Sequence, residues 1–391
     1  MKTYDFDTVI SRHNTNSMKW DHAATYNIPV DAIPMWVADM DFAAPIEVLE
    51  DIHAAVSHGI FGYSEPAKGA QLPGGYNHAV RDWFKARYGY DVPHIVKAPG
   101  VVSALNHCVR AFTVPGDAIL IQTPVYYPFF NIVKDNNRTL VCNLLRLNNG
   151  KYTIDFVDFE RKIVEHKAKM FILCSPHNPV GRAWTSEELA QLDELCRKHS
   201  VLVIADEIHC DFVWRGHEHI CYGTLNPDAI TLTAPSKTFN LAGLQCSNVF
   251  IRDDVMRDRF VKELACSGID RINTLGLVAC QSAYTKGGDW LAQLNEYLQG
   301  NIAVVRDFLI EKLPKIKLIE PEATYLLWLD FRELGLTQAD LERRVIHDAK
   351  VWLSSGTIFG ADGAGFMRMN VACPRSRLRE ALERLAQELG G

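Results

Sequence analysis

Several protein classes leave marks that this chain lacks. No stretch approaches the roughly 18 uninterrupted apolar residues of a membrane-spanning helix. The opening residues, MKTYDFDTVISRHNTNSMKWD, scatter charge throughout and hold no apolar core, so no export signal is expected and the cytoplasm is the expected compartment. Lys and Arg total 41 against 47 Asp and Glu, a net charge of −6, and no basic stripe offsets it. Nucleic acid and an anionic membrane are therefore not expected as partners. The ten cysteines form no C-x-x-C pair, and several lie in apolar runs such as MFILC (170–174), which points to reduced core thiols and no disulfide framework. Neither G-x-G-x-x-G nor G-x-x-x-x-G-K-[ST] occurs, so dinucleotide and Walker-type nucleotide binding lose their usual support. Internal repeats and low-complexity tracts are missing too.

What is present is an ordinary globular balance, 48% hydrophobic and 23% charged over 391 residues. That length suits two bodies, or one large α/β unit with additions, and allows a deep pocket for a small-molecule substrate. Through the middle of the chain a short β-branched run, a polar or Gly/Pro break and a longer helical pattern alternate, the cadence of an α/β fold. The runs 118–122, 170–174, 201–206, 229–233 and 248–251 read as strands buried on both faces. Between the second and third, TSEELAQLDELCRKH spaces Thr185 and Glu188 as a capping box, with Leu189, Leu192 and Leu195 at helical intervals. From about residue 290 long helices surround short strands, TYLLWLDF and FMRMNVA among them. A smaller second body is expected there, possessing 290–391 together with 1–45, beside a large body over 46–289.

Three segments follow strands: SPHNPVGR (175–182), DEIHCDF (206–212) and PSKTFN (235–240). Open α/β sheets place ligands at the carboxyl ends of their strands. In a parallel sheet Asn178, Asp206, His209 and Lys237 come to one edge, setting an amide, a carboxylate, an imidazole and an amine on a common crevice. A carboxylate that ends a wholly apolar strand, as Asp206 does in VIADEIH, needs a partner or a function. Taken singly, the others have plainer readings: Lys237 as a solvated lysine, Asn178 as a turn former before Pro179, Tyr126 as a core aromatic, Arg368 as an ion-pair partner. His217 and His219 in WRGHEH read as a solvated loop, not as metal ligands. Trp36, Trp352 and Phe359 read as core. APGVVSALNHCVRAF sets a glycine before an amphipathic helix, whose free N–H groups suit phosphate.

Together and in this order, SPHNPVGR, VIADEIHCDF and SKTFNLAGLQ resemble the signature segments of the pyridoxal-phosphate (PLP) enzymes of the aspartate-aminotransferase fold, fold type I. RHNTNSMKWD, PMWVADMDF, GIFGYSEP and GFMRMNVACPRS are similar to the MalY/PatB-type cystathionine β-lyases, and the likeness runs from about residue 5 to 390. The resemblance implies a large PLP-binding domain with a mostly parallel sheet in α/β/α layers, plus a smaller α+β domain from the chain ends. It implies that Lys237 forms the Schiff base with PLP and moves the substrate Cα proton, that Asp206 pairs with the pyridine nitrogen, and that Asn178 donates to the ring hydroxyl oxygen. Tyr126 would stack on the cofactor; Val101, Val102 and Ser236 would hold its phosphate. Arg368, with Ala38 and Asn178, would bind the substrate.

Two positions depart from the wider superfamily. His209 stands where aminotransferases carry a tyrosine, and Gln245 where many relatives have a phosphate-binding arginine; both are usual in the lyase-like subgroup. Tyr63 resembles the tyrosine that reaches the neighbouring subunit's phosphate, which implies a homodimer with shared sites. The implied activity is β-elimination of L-cystathionine or another cysteine S-conjugate to a thiol, pyruvate and ammonia. An aminotransferase, or a regulatory protein that binds a transcription factor, are the alternatives the resemblance leaves open.

Overall fold

The computed structural model describes residues 2–64, 75–269 and 271–390. Its largest sheet has seven strands: β1 His94–Ala98, β2 Ala118–Thr123, β3 Thr139–Leu144, β4 Met170–Cys174, β5 Leu202–Asp206, β6 Ile230–Thr233 and β7 Ser247–Ile251. They lie in the order β1-β7-β6-β5-β4-β2-β3. Only β7 runs against the rest, antiparallel to both β1 and β6. The five runs read as buried strands all form strands, and β2, β4, β6 and β7 are buried at every position. Apolar and β-branched residues suit this setting, covered on both faces by helices. β1 and β3 were not legible in the sequence because they form the two edges of the sheet. There the requirement for two apolar faces lapses, and exposed residues such as His94 and Thr139 interrupt the pattern.

Helix Ser186–Lys198 starts as its spacing predicts. Glu188 N–H donates to Thr185 Oγ1 at 3.2 Å, and Thr185 N–H donates back to Glu188 Oε2 at 2.9 Å. That reciprocal pair satisfies two donors a helix start leaves orphaned. Over Arg343–Asp348 the chain widens into a π-helical turn.

A second, antiparallel sheet joins β8 Lys317–Ile319, β9 Leu326–Asp330, β10 Ser354–Ser355 and β11 Phe366–Asn370 in the order β8-β9-β11-β10. The N-terminal residues do not extend it. Ile33–Pro34 pair in parallel with Val351–Trp352 as a separate ladder, and the chain then runs along β11, where Asn370 N–H donates to the Met35 carbonyl at 2.8 Å. This route carries Trp36–Met40 to the carboxyl edge of the large sheet. All ten cysteines are free, and all but Cys142 and Cys266 are buried.

Candidate active site

Three central strands end level with one another: Cys174 of β4 lies beside Asp206 of β5, and Asp206 beside Leu232 of β6. The chain beyond β4 supplies Asn178, β5 ends on Asp206, and β6 leads into a four-residue turn of helix, Pro235–Thr238, that carries Ser236 and Lys237. After β1, Gly100 at φ 91° turns the chain into helix Val101–Phe112. Glycine suits that left-handed backbone, and the helix start offers free N–H groups and a positive dipole end. Together these elements wall a cavity of about 170 Å³ whose lining includes Ala38, Val101, Val102, Tyr126, Asn178, Asp206, His209, Ser236, Lys237 and Gln245.

The electrostatics follow from desolvation. Burial pushes the Asp206 carboxyl up to about 7, against the pull of the Ile208 N–H it accepts at 3.2 Å and of Lys237 nearby. Lys237 is half-buried; its Nζ donates to the Ala38 carbonyl at 2.8 Å, and desolvation lowers the amine to about 8, with Asp39 opposing and Arg368 adding to the fall. His209 is pushed down to about 3 by burial and by the cations Lys237 and Arg368, so it is neutral at ordinary pH. Its Nδ1 has no hydrogen-bond partner among the described residues. Burial raises the Tyr126 phenol, which therefore stays protonated. Arg368 is lowered to about 10 by burial and remains a cation.

Two expected site residues are not on the cavity wall. Arg368 sits behind Asn178, donating from Nη1 to its Oδ1 at 3.1 Å and from Nη2 to the Trp36 carbonyl at 2.7 Å, with its guanidinium 4.8 Å from the Phe359 ring centroid. Its Nε is buried without a partner among the described residues. Tyr63 is 94% exposed and lies under the Arg271 guanidinium, 5.0 Å away. Glu65 and Pro66, at the end of the same GIFGYSEP segment, lie outside the described residues. His219 corrects the sequence reading: its side chain is buried, not solvated, and its Nε2 lies 3.1 Å from the Glu207 carboxylate with Cys221 alongside. Glu207 is satisfied there by His219 and by the Tyr222 N–H at 2.6 Å. Sequence reasoning also passed over Tyr325, whose hydroxyl donates to the Ala38 carbonyl at 3.1 Å. Within TYLLWLDF it looked like any strand aromatic.

An amine, a carboxylate and a helix start around one cavity form a donor set that fits PLP: Lys237 for its aldehyde, Asp206 for its pyridine nitrogen, and the Val101 and Val102 N–H groups with Ser236 for its phosphate. The orphaned His209 Nδ1 is a further polar atom in want of a partner. Fold and site are those of a PLP-dependent enzyme. Residues 45–385 match the model for aminotransferase class I and II, and the chain belongs to that family. It is 42% identical to cystathionine beta-lyase PatB of Bacillus subtilis (strain 168), covering 98% of this chain and 100% of that one. Protein MalY of Escherichia coli (strain K12) is 32% identical, with 97% of each chain covered. Among solved structures, cystalysin from Treponema denticola, which contains a pyridoxal 5'-phosphate cofactor, superposes with a TM-score of 0.94 at 38% identity over 99% of both chains.

Proposed function

We propose that this protein is a PLP-dependent carbon–sulfur β-lyase that cleaves L-cystathionine, or a related cysteine S-conjugate, to a thiol, pyruvate and ammonia. The observation that carries the reading is Lys237: an amine lowered to about 8, in one cavity with a carboxylate that lacks a cationic partner at salt-bridge distance among the described residues. When bound, PLP supplies an electron sink for the charge left at the substrate Cα. Lys237 Nζ would hold the cofactor through its aldehyde and would be the base that moves the substrate Cα proton; its lowered pKa leaves a useful neutral fraction near pH 7. Asp206 would hold the proton on the cofactor's ring nitrogen, a cation that would offset the desolvation of the carboxylate. Asn178 would donate from its amide nitrogen to the ring oxygen while its Oδ1 accepts from Arg368 Nη1. Arg368 supplies the positive charge for the substrate carboxylate, acting next to Asn178. Full-length likeness to PatB supports elimination over transamination.

L-Cystathionine given to the holoenzyme without any keto acid tests this. Sustained, equimolar release of pyruvate and thiol is expected. A single half-turnover without thiol, restored by a keto acid, would make the protein an aminotransferase instead.

We further assign 46–289 as the cofactor-binding body and 1–45 with 290–391 as the second, working in the cytoplasm as a homodimer. Tyr63 supports the dimer, as do its neighbours Ile60 and Phe61, which are 73% and 67% exposed: an apolar run that a second copy would cover. A molar mass of one chain by light scattering would remove this support.

A further inference from the structure

Every carbonyl from Trp36 to Met40 is engaged. Arg368 Nη2 donates to that of Trp36 at 2.7 Å, Asn370 Nδ2 to those of Val37 and Asp39 at 2.6 and 2.7 Å, and Asn240 Nδ2 to that of Met40 at 3.0 Å. The Ala38 carbonyl, on the cavity wall, takes two donors: Lys237 Nζ at 2.8 Å and Tyr325 OH at 3.1 Å. Of the two donors to the Ala38 carbonyl, only Lys237 changes its bonding in the reaction proposed above, because the amine would be spent while it holds the cofactor. A buried carbonyl that loses its only donor is unfavourable. Tyr325 is the donor that stays.

The fold holds this tyrosine tightly. Tyr325 is wholly buried, its ring edge-on to Phe212 at 4.9 Å and to His209 at 6.0 Å. Burial, with Asp39 adding, raises its phenol above the ordinary value, so the proton it donates is retained. The preceding residue, Thr324, sits at φ 67°, a left-handed backbone that a β-branched residue seldom adopts. It is over-determined there: its N–H donates to the Phe212 carbonyl at 2.8 Å, its carbonyl accepts from Trp214 Nε1 at 3.1 Å, and its hydroxyl accepts from Leu326 N–H at 3.3 Å. Such conformations persist where the surroundings enforce them, and they cluster at functional sites. Here the strained residue directly precedes the one whose hydroxyl reaches Ala38.

We propose that Tyr325 is a positioning residue for Lys237: its hydroxyl holds the Ala38 carbonyl through both bonding states of the lysine, so that the released amine returns to a fixed point beside the substrate Cα. This rests on the assignment of Lys237 as the proton-moving amine.

Tyr325→Phe deletes one oxygen and keeps the ring packing. In the holoenzyme acting on L-cystathionine, kcat should fall about 10-fold with KM within about 2-fold and cofactor content unchanged. The kinetic isotope effect with Cα-deuterated substrate should rise, because proton transfer becomes more rate-limiting. A second readout needs no turnover: competitive acetylation of the full, cofactor-free chain by acetic anhydride at pH 7. Without the phenol, the Ala38 carbonyl accepts from the ammonium alone and holds its proton more firmly, so Lys237 labelling should slow about 3-fold. An unchanged kcat and isotope effect overturns the proposal, and so does an unchanged labelling rate. Loss of cofactor with normal labelling would mark a structural role and overturn it as well. Should Lys237→Met retain normal turnover, the assignment of Lys237 falls and this proposal with it; with Lys237→Met inactive, an unchanged labelling rate in Tyr325→Phe overturns the role of Tyr325 alone.

Discussion

Lys19 and Lys237 both bond to the Trp36–Asp41 segment, and the fold treats them differently. Lys19, 1% exposed, is closed in a salt bridge to Asp41 at 2.9 Å, with Asp39 at 3.8 Å; Arg12 and Trp20 Nε1 complete the hydrogen bonding of Asp41, each at 2.9 Å. Lys237 has no carboxylate within salt-bridge distance among the described residues, and its amine is held by the Ala38 carbonyl. A buried ion pair keeps its charge and its place, whereas a desolvated amine with a neutral acceptor gives up its proton more readily. One lysine secures the strap that the other works against. The lesson is that burial lowers a lysine's pKa where no carboxylate sits within salt-bridge distance to offset it.

The same substitution at both sites tests the contrast. Lys237→Met should lower pyruvate release from L-cystathionine by about 10³-fold or more, since attachment of the cofactor and movement of the proton are lost together. Lys19→Met should instead lower folding stability, by roughly 3–5 kcal/mol in urea unfolding, because Asp41 keeps its charge in the interior with one partner fewer. Equal losses of stability at the two sites would break the comparison.

A pH series on the cofactor-free chain sharpens it further. The folded-state pKa of Lys237, about 8, lies below the ordinary value of 10.5. Between those pH values the unfolded chain binds more protons, so stability rises with pH there, and below pH 8 the full penalty of the desolvated charge remains. Relative to wild type, Lys237→Met should be more stable at pH 7 by at most ~3 kcal/mol, with the gap closing toward pH 10.5. A gap independent of pH would trace the difference to packing, not to charge. Asp206 acts in the opposite sense: its folded pKa, raised to about 7 from 3.8, makes its contribution fade as pH climbs through that interval. The cofactor-free site is thus least comfortable between about 7 and 8, where carboxylate and ammonium are both desolvated.

Much of the fold was readable along the chain, for a physical reason. β4, β5 and β6 are covered on both faces, so their residues had to be apolar; Asp206 stood out as the carboxylate that ends such a run, while Asn178 and Lys237, a few residues past their strands, took their roles from the family resemblance. The edge strands β1 and β3 escaped because solvent on one side relaxes that demand. His219 reads as polar in the sequence and its side chain is buried all the same, since Glu207, a dozen residues earlier, waits for it at 3.1 Å. Arg368 was named but lies behind Asn178, a depth that no residue spacing encodes. Tyr325 and the Ala38 carbonyl were beyond reach: a backbone oxygen has no letter of its own, and the two meet across 287 residues of chain.

From the order of residues alone came the α/β class, the strands of the sheet's interior and the residues that end them, because covalent neighbours set periodicity and the places where it breaks. Which lysine would find a carboxylate and which would be left with a carbonyl was decided only when the N-terminal segment was laid along β11 and over the sheet edge. Desolvation and ion pairing depend on what lies within a few ångströms in space, and that is a property of the folded chain.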